Sequence, residues 1–239
     1  MKFGVIVFPG SNCDDDMIHV LGEVMGHSAE KIWHKEEALP DFGLEDVIIV
    51  PGGFSYGDYL RAGALAKLSP VMQAVVAFAR QGGHVIGICN GFQVLCEAGL
   101  LPGALLRNRD QQFISRVCHL STETHDSALT AEIPRDRALA MPMAHAEGRY
   151  YCDAATLVEL KQHDQIIFRY ASPEGNVTDE YNWNGSVESI AGVCNRERNV
   201  YGMMPHPERA SEGILGGADG QYLWKSLSSW IESHVASPA

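Results

Sequence analysis

The chain has 239 residues and a mass of 26.1 kDa, long enough to bury roughly 70% of the surface its unfolded form exposes, and its 46% hydrophobic and 20% charged residues exclude a disordered chain. Eighteen basic residues against thirty acidic ones leave a net charge of −12, and an acidic surface repels phosphate backbones, which argues against a sequence-blind nucleic-acid binder. No apolar run approaches the roughly 18 residues of a membrane-spanning helix, and six cysteines without a CxxC pair point to free thiols in a reduced, cytoplasmic setting.

Met1 and Lys2 run straight into an apolar segment with no basic-then-apolar leader. Lys2 to Val7 reads as a strand, and Phe8 to Asn12 as a turn cluster. Asp14, Asp15 and Asp16 mark a helix start; Met17, Val20, Leu21 and Val24 keep helical spacing, and Gly26 ends the helix. Asp46 to Val50 reads as a fully buried strand, Pro70 to Arg80 as a helix, His84 to Ile88 as another buried strand, and Phe92 to Ala98 as a short helix closed by Gly99.

The stretch from Leu101 to Tyr151 loses the helical stripes and gains strand-like pieces such as Phe113 to Leu120. A helix over 153–162 follows, then strands over 165–170, 189–194 and 200–204, and a last helix over 219–235 with Leu223, Leu227, Trp230 and Ile231 on its apolar face. The expected architecture is α/β and flavodoxin-like: a central, mostly parallel sheet with helices on both faces and an antiparallel extension. No repeat or linker divides the chain, so residues 1–239 are expected to form a single domain.

The sharpest local signal is Gly87-Ile88-Cys89-Asn90-Gly91. A nucleophile between two glycines, after a buried strand and before a helix, has the layout of a nucleophile elbow. The tight turn lifts the sulfur out of the sheet and aims it at the helix N-terminus, whose dipole favours thiolate. The backbone N–H of Asn90 then points where an oxyanion would form. The competing reading is a structural cysteine beside a glycine-rich turn.

A thiolate nucleophile needs a base, and the base an orienter. His206-Pro207-Glu208 supplies both if the segment is extended, because residues two apart then share a side. A metal site from His206 and Glu208 lacks a third ligand at characteristic spacing, so no metal is expected. The second glycine-rich stretch, Pro51 to Asp58, lacks the endings of a P-loop and of a dinucleotide site. An exposed N–H near Gly53 as a second oxyanion donor is the better use, with an ordinary loop as the alternative.

Taken together, "FPGSNCD", "PGGFSYGDYLRAGALA", "GICNGFQVL", "AHAEGRYY" and "GMMPHPER" resemble class I, triad-type glutamine amidotransferases. The similarity is greatest to the glutaminase subunits of phosphoribosylformylglycinamidine synthase, an enzyme of purine biosynthesis. The resemblance implies a Cys89–His206–Glu208 triad that hydrolyses glutamine to glutamate and ammonia through a thioester. Gly53 and Asn90 would hold the oxyanion, and Gln93 would contact glutamine.

It further implies no cofactor in this chain. A separate synthetase subunit would bind ATP and magnesium and use the ammonia on formylglycinamide ribonucleotide, and a small subunit bridges the two in some members. His145, Arg149, Tyr150, Phe54, Asp58 and Arg61 are candidates for contacts with glutamine or the partner. Met143, Ala146 and Trp183 stand where the family carries Ile, Gly and Pro. An elbow-cysteine peptidase or stress chaperone is the competing enzyme reading, but those lack the His-x-Glu near the C-terminal strand. A non-catalytic binding subunit would not need Cys89, His206 and Glu208 intact.

Overall fold

A computed structural model describes residues 1–235, so positions 236–239 of the expected domain lie outside the described residues. In chain order the elements are β1 (Lys2–Val7), α1 (Asp14–His19), β2 (Ser28–Trp33), β3 (Val47–Val50), α2 (Pro70–Arg80), β4 (His84–Ile88), α3 (Asn90–Glu97), β5 (Ala104–Leu106), β6 (Ile114–Thr122), β7 (Leu139–His145), β8 (Arg149–Tyr151), α4 (Ala154–Gln162), β9 (Ile166–Ala171), β10 (Ile190–Cys194), β11 (Val200–Met203) and α5 (Gln221–Val235). Nine strands form one sheet in the order β2-β1-β3-β4-β11-β10-β9-β6-β7, and β5 pairs with β8 separately. The first five are parallel to one another. The last four continue antiparallel. The parallel half follows the 2-1-3-4-5 order of doubly wound flavodoxin-like sheets, and the antiparallel half is the expected extension.

β3 and β11 are wholly internal: every residue of each is buried, which requires cover on both faces of the sheet. Leu95, Phe92 and Val94 of α3 and Val71, Val75 and Phe78 of α2 join the same core. Pro70 opens α2 at a position where a missing N–H costs nothing.

Two local expectations are corrected. The first helix does not run unbroken to Gly26: α1 ends at His19, and Val20–Val24 form a π turn in which the Met25 N–H donates to the Val20 carbonyl at 2.9 Å. Strand β2 was not foreseen. It is an edge strand whose one buried residue is Ile32, so it carries no apolar run to reveal it. It is fastened by Lys31, whose Nζ donates to Asp14 at 2.7 Å and Asp15 at 2.6 Å on α1.

The sheet sets up one functional edge. β3, β4 and β11 are parallel neighbours, with Val50 opposite Gly87 and Met203 opposite Ile88. Their carboxyl ends therefore deliver Gly52-Gly53, Cys89 and His206 to a common rim, where open parallel sheets place their ligands. Strand β7 approaches the same rim, because the His206 N–H donates to the Pro142 carbonyl at 2.8 Å.

Candidate active site

Cys89 is the residue between β4 and α3, and its backbone is left-handed in φ (φ +50°, ψ −105°). Such a conformation costs a non-glycine residue about 1–3 kcal/mol and persists only where the surroundings impose it. Here they do. The Cys89 N–H donates to the Met203 carbonyl of β11 at 2.8 Å, and the Cys89 carbonyl accepts from Gln93 at 3.2 Å. A Cβ on Gly87 would lie 2.7 Å from the backbone of Gly91, and one on Gly91 would lie 1.8 Å from the Val50 carbonyl oxygen. Both glycines of the elbow are therefore sterically required. The sulfur is 6% exposed as part of its residue and stands 3.8 Å from the Ala144 carbonyl.

His206 follows β11, and its Nδ1 lies 2.5 Å from Glu208 Oε1, with both side chains buried. The pairing expected from the sequence is present, but the extended geometry behind that expectation is not. Pro207–Ala210 form a 3₁₀ turn, and it is this turn that swings Glu208 back onto the imidazole. Burial opposes a charge on His206. The Glu208 carboxylate and then Cys89 outweigh it and hold the imidazolium well above its ordinary range. With Nδ1 engaged by Glu208, Nε2 is left buried and without a partner.

The loop after β3 crosses the chain's first turn. Gly53 sits at φ +141°, where a Cβ would meet Asn12 N and Ser11 Cα at 2.8 Å. The neighbouring Phe54 N–H donates to the Gly10 carbonyl at 3.0 Å. Asn90 opens α3, in the first turn whose N–H groups have no intrahelical acceptor. Its side-chain oxygen accepts from the Ser55 N–H at 3.1 Å. Its Nδ2 donates to Gln93 Oε1 at 2.8 Å and to Asp58 Oδ1 at 3.3 Å. Gln93 is buried, not solvated, and donates to the Glu147 carbonyl at 2.6 Å.

These segments enclose a cavity of about 180 Å³, smaller than the roughly 300–1,000 Å³ of drug-sized ligand sites and suited to one small metabolite. Cys89, His206, Gly53 and Gln93 line it, as do Phe54, Asp58, His145, Ala146 and Glu147. Asn90 and Glu208 stand behind that lining, in contact with residues that form it. Of the other candidates, Arg61 is drawn away to Glu97 at 2.6 Å, and the hydroxyl of Tyr150, in β8, donates to the Pro102 carbonyl at 2.8 Å. Of Met143, Ala146 and Trp183, Met143 faces the core, Trp183 lies under the Arg116 guanidinium at 4.2 Å, and only Ala146 reaches the cavity.

Sequence reasoning assigned no role to Cys13, which the fold brings beside His206 and Glu208. Potential ligand atoms of Cys13, His206 and Glu208 all lie within 4.8 Å of one another, and Arg209 Nη2 donates to Cys13 Sγ at 3.1 Å. The block "FPGSNCD" was visible, but nothing in it says where a loop after β1 meets a turn nearly two hundred residues later. Within this group the His206–Glu208 bond already occupies the inner ring nitrogen and one carboxylate oxygen.

Two histidines make the fold acid-sensitive. Burial, with a smaller contribution from His234, lowers His84 to about 4. Burial and then the charge of His206 lower His145 to about 4. The unfolded chain takes up these protons near pH 6.5, whereas the folded chain resists them until about 4. The contribution of these two groups to stability is therefore complete above pH 6.5 and falls as the pH drops through that window, by on the order of 3 kcal/mol per histidine. Urea titrations at pH 7 and pH 4.5 should show the midpoint falling, and His84→Gln should remove part of the fall. An unchanged midpoint would contradict the assignment.

Residues 1–232 match the family model for a CobB/CobQ-like glutamine amidotransferase domain. The chain is 55% identical to the phosphoribosylformylglycinamidine synthase subunit PurQ of Moorella thermoacetica, over 97% of each chain. It is 56% identical to the subunit of the same name from Koribacter versatilis, over 95% of this chain and 97% of that one. Among solved structures it is similar to a chain in the structure of PurLQS from Thermotoga maritima, with a TM-score of 0.83 and 38% identity over 96% of this chain and 98% of the other.

Proposed function

The chain belongs to the phosphoribosylformylglycinamidine synthase subunit PurQ family, with its CobB/CobQ-like glutamine amidotransferase domain, and from this we infer that it hydrolyses glutamine and passes the ammonia to a separate synthetase subunit that makes formylglycinamidine ribonucleotide. Cys89 attacks the side-chain amide carbon of glutamine. His206, oriented by Glu208, carries a proton to the leaving ammonia and then activates water against the thioester. The N–H groups of Gly53 and Asn90 hold the oxyanion, and Gln93 holds the substrate. The observation that carries this reading is the strained Cys89 backbone, fixed between two sterically required glycines and opening on the same cavity as His206.

The chain acts as a single amidotransferase domain and needs no cofactor of its own; ATP and magnesium serve the synthetase partner. Among the described residues no helix is long and apolar enough to cross a membrane, and the reading places the enzyme in the cytoplasm, in a complex with the synthetase and a small bridging subunit.

A glutamine-mimicking electrophile tests the assignment. It should label Cys89 before the other five cysteines, of which Cys96 is pushed far up and Cys118 up to about 12 by burial, so that both hold little thiolate. Peptide mapping that finds Cys13 labelled first would overturn the choice of nucleophile.

A further inference from the structure

The fold completes a donor set that the triad chemistry does not need. Potential ligand atoms of Cys13, His206 and Glu208 lie within 4.8 Å of one another, and all three residues are buried. A thiol, an imidazole and a carboxylate are the donors that zinc accepts, and an accessible zinc site takes three protein ligands and leaves a fourth position open. His206 and Glu208 supply two of the three. The third comes from the turn after β1, held in place where the Cys13 N–H donates to the Gly52 carbonyl at 3.4 Å.

Two further observations fit an ion at this point. Glu208 is 1% exposed, and its Oε2 is buried without a hydrogen-bond partner. A buried carboxylate oxygen left open in this way is satisfied by a donor or by a cation. Gly52 keeps the space between the sulfur and the ring clear, since a Cβ there would lie 3.1 Å from Cys13 Sγ and 2.8 Å from His206 Cε1. Cys13 and His206 both line the cavity, which gives an ion its way in. The charges also balance. A thiolate and a carboxylate offset a divalent ion, and Arg209, which donates to Cys13 Sγ at 3.1 Å, is itself paired with Asp16 at 3.4 Å.

We propose that Cys13, His206 and Glu208 form an inhibitory site for a soft divalent cation of the zinc type, which stops glutamine hydrolysis by withdrawing the base and its orienter and not by capping the nucleophile. Binding needs only these donors; the inhibition rests on the glutaminase reading. The ion takes the place of the proton shared by His206 Nδ1 and Glu208 Oε1 at 2.5 Å. That proton and the Cys13 thiol proton leave to solvent. Metal–ligand bonds of about 2.0–2.3 Å in a tetrahedral site set the donors roughly 3.3–3.6 Å apart. The ring and the carboxylate therefore part slightly while the thiol closes in. An imidazole whose inner nitrogen binds a cation is a much weaker base at Nε2, the nitrogen left for the reaction.

Two readouts test the site. Binding is read on the full chain with Co²⁺ as the probe, because its thiolate complexes show a sulfur-to-metal charge-transfer band. Cys89→Ser should keep that band, Cys13→Ser should lose it, and Zn²⁺ should displace it. Inhibition is read on the complex with its synthetase partner. Zn²⁺ should stop glutamate release at concentrations that leave ammonia-dependent synthesis unchanged. Cys13→Ser should raise the half-inhibiting concentration at least about tenfold, each protein measured against its own metal-free rate, since losing even a partner behind a metal ligand costs about 10–100-fold. Cys13→Ala should behave in the same way, and ammonia-dependent synthesis shows that both variants assemble. A wild-type chain without the band overturns the site. So does a band that survives Cys13→Ser but is lost in Cys89→Ser, or equal zinc sensitivity of wild type and Cys13→Ser. A wild-type complex that releases no glutamate even without metal overturns the glutaminase reading instead, and the cobalt band still decides the site.

Discussion

Cys89→Ser should lower glutamine-dependent synthesis and glutamate release by at least about 10⁴-fold, in line with removal of a nucleophile from a unit that acts as a triad, while ammonia-dependent synthesis by the assembled complex stays within about twofold of wild type. The asymmetry follows from the division of labour. The chemistry at the elbow needs a sulfur that can exist as thiolate beside His206, and a serine hydroxyl in the same strained turn does not reach that state. Ammonia supplied from solution bypasses this step. The backbone at Cys89 is fixed by the Met203 and Gln93 hydrogen bonds, which do not involve the side chain, so the substitution should leave the fold and the partner surface intact. The measurement is a pair of assays, one with glutamine and one with an ammonium salt, on a variant shown by gel filtration to assemble. Loss of both activities in an assembled variant would sink the separation of roles.

How much of this was readable in the sequence depended on which physical signal each element leaves. β3, and β4 from Val85 onward, were legible because internal parallel strands are apolar runs. The elbow was legible because its sterics require glycine on both sides of Cys89, and a steric requirement of this kind is written directly in residue identity. Strand β7 left a poorer trace, since Pro142 interrupts it; the proline is tolerated because β7 closes the edge of the sheet.

The His206–Glu208 pair was legible by type but not by geometry, because a 3₁₀ turn and an extended segment both accept His-Pro-Glu. Contacts between distant segments left no trace at all. Cys13 against Arg209, and Gln93 against the main chain of Glu147, are consequences of sheet order. No local pattern encodes them.

Gly91→Ala should be among the most damaging single methyl additions in the chain. The new Cβ would stand 1.8 Å from the Val50 carbonyl oxygen and 2.6 Å from its carbon, and both belong to the backbone of a central strand. No rotamer change relieves that contact; either α3 must rise off the sheet or the end of β3 must shift. Overpacking of this kind costs about 3 kcal/mol or more, which for a chain of this size lowers Tm by roughly 6–12 °C. Activity should fall further than stability alone predicts. The same displacement moves Cys89 relative to His206 and moves Gly52-Gly53, which follow Val50 after Pro51, and a misplacement of about 1 Å in a reacting group costs on the order of 10²-fold. Gly22→Ala is the matched control, because a Cβ there meets nothing within 4 Å, and it should stay within about 0.5 kcal/mol of wild type, as surface substitutions do. Thermal melts and glutaminase assays on the two variants check both statements. A Gly91→Ala variant with wild-type Tm and turnover would mean that the elbow does not press on β3, and the steric account of why Cys89 is held proud of the sheet would fail with it.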